Sequence, residues 1–354
     1  MQLTRSMPDQ VLDSLQDIVD NIEIQSNFCI SHPDYEPLEL PPSVVARFQQ
    51  LPEEFQRQYL SAQLRNFIYS TYFRGDTEPT ATNHSDQNSD SSVIKQSSEF
   101  YWQLHASNRG AGYFDSGWYV RKQESDGSLA VQKNGLTLHI QPNRHLQLEY
   151  QLAKVGDTVA IRMPRNLVET EFYIAVGDAG RNSLDNSNRQ LETVYIYFNF
   201  SPPGAIAIMS SLTEQLNSAK IGFTFKALSD PSSYPRNDSG ILYFERSNYK
   251  LVRQVLQSVY AQNQSHFLAN VPLFTKLLAP GLSLAEKPES KETTQERFGL
   301  NRCQLVADGL LDAWYDGDRT SKGRLSAITQ RFASHAIELE RPYLNGNEDI
   351  YTPL

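Results

Sequence analysis

The stretch from Val194 to Phe244 constrains this chain more than any other. It reads as a strand, VYIYFNF, a turn, SPPG, and an apolar helix, AIAIMSSLTEQLNS. A second strand, IGFTFKAL, a polar turn, SDPSSYPRND, and a third strand, GILYF, follow. Two cations stand out: Lys226 at the end of the second strand and Arg236 just before the third. Successive strand side chains alternate, so Phe223 and Phe225 share one face while Thr224 and Lys226 share the other. By the same rule Tyr195, Tyr197 and Asn199 share a face of the first strand. If the second and third strands are antiparallel neighbours, Lys226 and Arg236 approach each other across the pair. A lysine and an arginine beside tyrosines are what a phosphate-handling site needs. Such charges are more commonly solvated surface groups, and Asp238 is close enough in sequence simply to pair with Arg236.

The surrounding sequence predicts an α+β protein. Its centre is a mostly antiparallel sheet with helices packed on it, between a helical N-terminal segment and a helical C-terminal part. Helical spacing runs through 9–24, on Val11, Leu12, Leu15, Ile18, Val19 and Ile22, and again through 42–72. Pro-Glu-Glu at 52–54 is a helix start, since proline suits the first turn and acids suit the positive end of the dipole. Residues 75–99 are polar and rich in Ser, Thr, Asn and Asp. They predict a flexible insertion or linker between a segment at 1–74 and a domain over 100–345. Strands are expected in GWYVRKQ, SLAVQKNGLTLHIQ, HLQLEYQLAKVGDTVAIRMP and EFYIAVGD, with hairpin signals at 126–127 (DG) and 134–135 (NG). Helices are expected at 247–263, 298–315 and 322–339. The link PLFTKLLAPGLSLAEKPESKETTQE is partly apolar and then charged.

Several function classes lose support. Cys29 and Cys303 are far apart, against a disulfide scaffold or a cysteine-based zinc site. The seven histidines are scattered without an HExxH pair, so no metal is expected, and no GxSxG elbow or GxxxxGK[ST] loop occurs. The formal net charge of −9 argues against general nucleic-acid binding but leaves room for a local basic pocket. No apolar run is long enough for a transmembrane helix, and the first residues lack the basic head and apolar centre of a signal peptide. A cytoplasmic protein with no membrane partner is therefore expected. The glycine-rich NRGAGYFDSG, 108–117, which contains Arg109, is an anion-binding loop or an ordinary turn before GWYVR; turns are the commoner use of such residues.

The run YFNFSPPGAIAIMSSLTEQLNSAKIGFTFKALSDPSSYPRNDSGILYFER resembles the HopA1 family. So do GWYVRK, EFYIAVGDAG, PLFTKLLAPGLSLAEKP and RFGLNRCQLVADGLLDAW, in the same order along most of residues 100–340. The family was first named for a type III secreted bacterial effector; relatives occur in cyanobacteria and actinobacteria, and the tone of this sequence is cyanobacterial. Some members are the lyase component of class V lanthipeptide synthesis. More distantly, the strand–helix–strand–turn–strand order is similar to that of the effector phosphothreonine lyases. Those enzymes carry a basic lysine on the middle strand and a phosphate-binding arginine before the last, which Lys226 and Arg236 match. They also carry a histidine acid on the first strand, where this chain has Tyr195, Tyr197 and Asn199.

The resemblance implies elimination of phosphate from phosphoserine or phosphothreonine in a peptide, leaving a dehydroamino acid. A lysine removes the Cα proton only as the neutral amine, so such a site has to lower a lysine's pKa from about 10.4. Lys226 is the implied base, with Tyr197 or Tyr195 in place of the histidine acid. Arg236 is the implied phosphate clamp, since its planar fork suits phosphate oxygens. Asn199, Tyr243, Arg162, Arg109, Lys276 and Arg302 are further candidates for binding phosphate or substrate. No cofactor is required. The implied partners are a phosphorylated precursor peptide and, before and after this step, a kinase and a cyclase. The alternatives are a non-catalytic module that binds a phosphopeptide or leader peptide, and an effector acting on a host protein.

Overall fold

The computed structural model describes residues 7–76, 91–181, 192–288 and 297–354. Helix α1 (Met7–Asn21) buries Val11, Leu15, Ile18 and Val19. It leads into a small antiparallel sheet of β1 (Glu23–Ser26), β2 (Cys29–His32) and β3 (Tyr35–Glu39). Helices α2 (Pro42–Phe48) and α3 (Glu53–Ile68) follow, and α3 runs on into a π-helical turn, Tyr69–Arg74. Helix α4 (Ser91–Ser107) comes next. Strands β4 (Phe114–Gln123), β5 (Leu129–Lys133) and β6 (Leu136–Ile140), the short helix α5 (Pro142–His145) and β7 (Thr158–Arg162) make a second sheet in the order β6-β5-β4-β7. It has its own core of Trp118, Val120, Leu129, Val131, Ile140, Leu146, Val159 and Ile161.

The main sheet uses β8 (Asn166–Val168), β9 (Phe172–Val176) and β10 (Thr193–Phe198). After α6 (Pro202–Ser218) it continues with β11 (Phe223–Leu228) and β12 (Gly240–Glu245). Past α7 (Tyr249–Asn263) it gains β13 (Lys276–Ala279) and β14 (Leu282–Glu286), and α8 (Phe298–Tyr315) and α9 (Ser321–Ser334) close the chain. The seven strands lie in the order β13-β14-β10-β12-β11-β9-β8, every neighbouring pair antiparallel. This is the α+β architecture expected from the sequence. Strands β10 and β11 both run against β12 and are therefore parallel to each other, with α6 as the crossover. Ser201 starts that crossover: its hydroxyl accepts from the Gly204 amide, and prolines fill the first turn where their missing amide costs nothing.

The register sorts the side chains into two faces. Val194, Phe244 and Phe223 form one cross-strand row, and Ile196, Leu242 and Phe225 the next. Phe198, on the same face, meets Phe267, which packs on Tyr260 of α7, so α6 and α7 cover this side. Tyr195, Tyr243 and Thr224 form a row on the other face, and Tyr197, Ile241 and Lys226 the row beside it. That face meets Phe73 of the π-helical turn and Phe298 of α8, at 5.6 and 6.4 Å from the Tyr197 ring.

Four expectations need correction. The N-terminal segment is not wholly helical: strands of four or five residues are too short for a period-two signal to show in the sequence. Helix α4 begins inside the expected linker, of which residues 77–90 lie outside the described residues. HLQLEYQLAKV does not form a strand. It makes a helical turn at Leu148–Tyr150, and Leu148, Leu152 and Val155 stay exposed, so the alternation there buries nothing. The apolar link after α7 supplies β13 and β14, with β14 buried along its whole length against β10; residues 289–296 of its charged end lie outside the described residues.

Gly281 turns β13 into β14 with φ +74°, and a Cβ there would lie 2.2 Å from the Leu268 carbonyl oxygen and 3.0 Å from that of Asn199. Strain and clash act in the same direction. Gly281→Ala is expected to lower stability by about 2 kcal/mol or more, read as a shift of the urea midpoint. An unchanged midpoint would contradict this turn.

Candidate functional site

Lys226 and Arg236 share a neighbour, the Phe172 ring, with Lys226 Nζ at 5.6 Å and the Arg236 guanidinium carbon at 5.9 Å from its centroid. Lys226 also lies 5.9 Å from the Tyr243 ring. Neither cation is simply a solvated surface charge. The Arg236 side chain is 6% exposed and makes a two-pronged pair with Asp238, Nε to Oδ1 at 2.8 Å and Nη2 to Oδ2 at 3.0 Å. Its remaining Nη1 contacts Glu171. Burial works against the guanidinium's charge, but Asp238 and Glu171 outweigh it and hold its pKa above the ordinary arginine value. Lys226 donates to Glu169 at 2.6 Å, and Arg297 Nη2 lies 4.0 Å from the other oxygen of the same carboxylate.

Behind the cations stands a group of tyrosines. Tyr195 packs edge-on against Tyr243 at 4.9 Å and against Tyr197 at 6.3 Å. Tyr69 of the π-helical turn stacks on Phe73, which in turn meets Tyr197. The hydroxyls of these four tyrosines take no hydrogen-bond partner among the described residues. Burial is the main cause that raises the pKa of Tyr69, Tyr195, Tyr197 and Tyr243 above the ordinary value of 10.0. They are therefore neutral hydroxyls near neutral pH, able to donate.

Asn199 does not line this cluster as a free group. Its amide donates to Asn237 Oδ1 at 3.2 Å and to the Asn270 carbonyl at 3.0 Å. Asn237 donates in turn to the carbonyls of Phe73 and Arg74. Asn199 thus ties the Arg236 turn to β10 and to the π-helical turn.

The other candidates are engaged elsewhere. Arg109 bonds Ser210 on α6, and its amide bonds Thr213, on the side away from the tyrosines. Arg162 donates to the Ala111 carbonyl. Lys276 pairs with Asp349 at 2.5 Å on the edge strand. Arg302 is buried in α8 and donates to the carbonyls of Pro342 and Leu344, stapling the C-terminal segment. The glycine-rich loop is closed to anions as it stands, because the Asp178 carboxylate already accepts from the amides of Ala111 and Gly112.

Sequence reasoning missed Glu169, Glu171, Tyr69, Arg74, Asp76 and Arg297. Arg74 pairs with Asp76 at 3.2 Å beside the Arg236 group. Nothing local signals a carboxylate 57 residues away from Lys226. The one available cue is the pair of glutamates in ETEF, directly before a buried strand. Among the described residues, no group of three or more His, Cys, Asp or Glu is placed to hold a metal ion, and no helix is long and apolar enough to cross a membrane.

The model of the HopA1 effector protein family matches residues 163–344, just over half of the 354-residue chain and all of the main sheet. The chain belongs to the HopA1 effector protein family. Two solved structures are similar to this HopA1-family chain. One is the effector protein from Pseudomonas syringae pv. tomato strain DC3000, at 16% identity and TM-score 0.43, covering 85% of this chain and 97% of that one. The other is the effector protein from Pseudomonas syringae pv. syringae strain 61, at 13% identity and TM-score 0.46, covering 96% and 99%. No curated protein matches the chain. Lys226, Arg236, Glu169, Glu171, Tyr195, Tyr197 and Tyr243 fall inside the match, and Tyr69, from the N-terminal segment, falls outside it.

The tyrosines give a pH prediction. Their folded pKa values lie above the unfolded value, so the stability they contribute is complete below pH 10.0 and is lost as pH rises through the folded values. Alkaline titration is expected to unfold the protein above about pH 10. Tyr197→Phe is expected to remove phenolate absorbance only from the late phase that accompanies loss of circular dichroism. Loss of signal from an early phase, with the fold intact, would contradict the burial of Tyr197.

Proposed function

We propose that this HopA1-family protein is a phosphoserine or phosphothreonine lyase acting on a phosphorylated peptide, as in class V lanthipeptide synthesis. The observation that carries the reading is that Lys226 and Arg236 both lie against the Phe172 ring, with the Tyr243 ring beside Lys226. In the reaction, Lys226 as the free amine takes the Cα proton. The electrons of that C–H bond form the Cα–Cβ double bond, and the Cβ–O bond breaks. Phosphate leaves with its electron pair onto Arg236, with Arg297 nearby. A buried tyrosine, Tyr197 or Tyr195, supplies a hydrogen bond to the leaving oxygen or to the developing enolate. The substrate comes from a kinase, and the dehydroamino acid suits a cyclase that adds a thiol across the new double bond.

One observation favours a second reading. Both cations already hold carboxylates, as a surface that recognises an acidic or phosphorylated peptide without chemistry would. The test separates the two. A phosphorylated precursor peptide is incubated with the protein and followed by mass spectrometry for loss of phosphoric acid. Wild type is expected to eliminate, and Lys226→Ala to slow elimination by about 10²–10⁴. If both proteins bind the peptide and neither eliminates, the lyase reading fails and the binding module stands.

A further inference from the structure

The carboxylates on the two cations come from one short element. Glu169 and Glu171 both lie in the three-residue turn between β8 and β9. Resting on the phosphate reading of this face, we infer that this turn is an internal competitor for the site. Glu169 and Glu171 hold the places that phosphoryl oxygens take, and a phosphate dianion enters by exchange with them.

Three features support the exchange. First, Arg236 has more carboxylate than it needs. The buried Asp238 already pairs with Nε and Nη2, so Glu171 adds a second carboxylate on the one remaining edge. Second, Glu171 is far more accessible than the arginine it pairs with. The Glu171 side chain is 42% exposed against 6% for Arg236, and the adjacent Val168 is 91% exposed. An ion pair with an exposed partner is weakly held and readily exchanged. Third, the main chain of the turn is anchored independently of the two glutamate side chains. Ser229 donates to the Glu171 carbonyl from both its amide and its hydroxyl, so only side-chain rotation is required to vacate the site.

Charge also balances. Two carboxylates leave and a phosphate of charge near −2 arrives, so the cations are never left uncompensated. Lys226 and Arg297 share Glu169, so its departure frees two cations at once. A singly charged carboxylate ligand would have to displace two of its own kind, which disfavours acidic peptides and favours phosphorylated ones.

The test is calorimetric titration of the full chain with inorganic phosphate, for wild type, Glu171→Gln and the double variant Glu169→Gln/Glu171→Gln. Both substitutions keep the shape of the side chain in an accessible turn, and circular dichroism confirms that each variant is folded. The double variant is expected to bind phosphate roughly tenfold more tightly than wild type, with Glu171→Gln between them. Equal or weaker binding by the variants, or no binding by any of the three, overturns the competitor. The elimination assay on the same proteins separates this from the lyase reading. Tighter phosphate binding without elimination in any protein supports the competitor and removes the lyase. Elimination by wild type with no gain in phosphate affinity keeps the lyase and removes the competitor.

Discussion

The pairing of Arg236 with Asp238 is the interaction on which the candidate site depends. A guanidinium almost fully out of water has to be compensated, and Asp238, itself buried, does so through two parallel hydrogen bonds. Removing one partner of such a pair costs about 3–5 kcal/mol, because the other charge is left buried and alone. The same pair fixes which part of Arg236 stays available. Two of its three nitrogens are committed to structure, and Nη1 alone reaches the accessible Glu171.

The N-terminal segment takes part in holding this arrangement. The π-helical turn brings Tyr69 and Phe73 onto the tyrosine face, and the Arg74 carbonyl accepts from the amide of Asn237, next to Arg236. π-helical turns are often kept where a site needs them. Gly75 ends this one at φ +75°, and a Cβ there would lie 2.8 Å from the side-chain amide nitrogen of Asn237. Glycine adopts this left-handed conformation without strain, and so lets the chain leave the helix beside the Arg236 turn. The segment outside the family match therefore packs against the candidate site formed by the segment inside it.

Much of this was legible in the sequence because it rests on local rules. Period-two alternation put Tyr195 and Tyr197 on one face and Lys226 opposite Phe225, and the structure agrees. Helix α8 falls on the residues its spacing indicates. What was not legible depends on chain segments meeting at a distance. The glutamate partners sit on a hairpin far from the cations in sequence, and strands β13 and β14 join the sheet beside β10 from a segment that reads as a link. The roles of Arg302 and Lys276 failed to show for the same reason. An arginine in a helix and a lysine on a strand look alike whether they meet a ligand or, as here, the C-terminal segment.

The central claim is that the tyrosine face of the main sheet binds phosphate between Lys226 and Arg236. Crystals of the protein grown with inorganic phosphate test it most directly. The account predicts a phosphate within hydrogen-bond distance of Lys226 Nζ and Arg236 Nη1, with Glu169 and Glu171 turned away and the Arg236–Asp238 pair intact. Phosphate bound only elsewhere, with Lys226 still paired to Glu169 and Arg236 to Glu171, would contradict it.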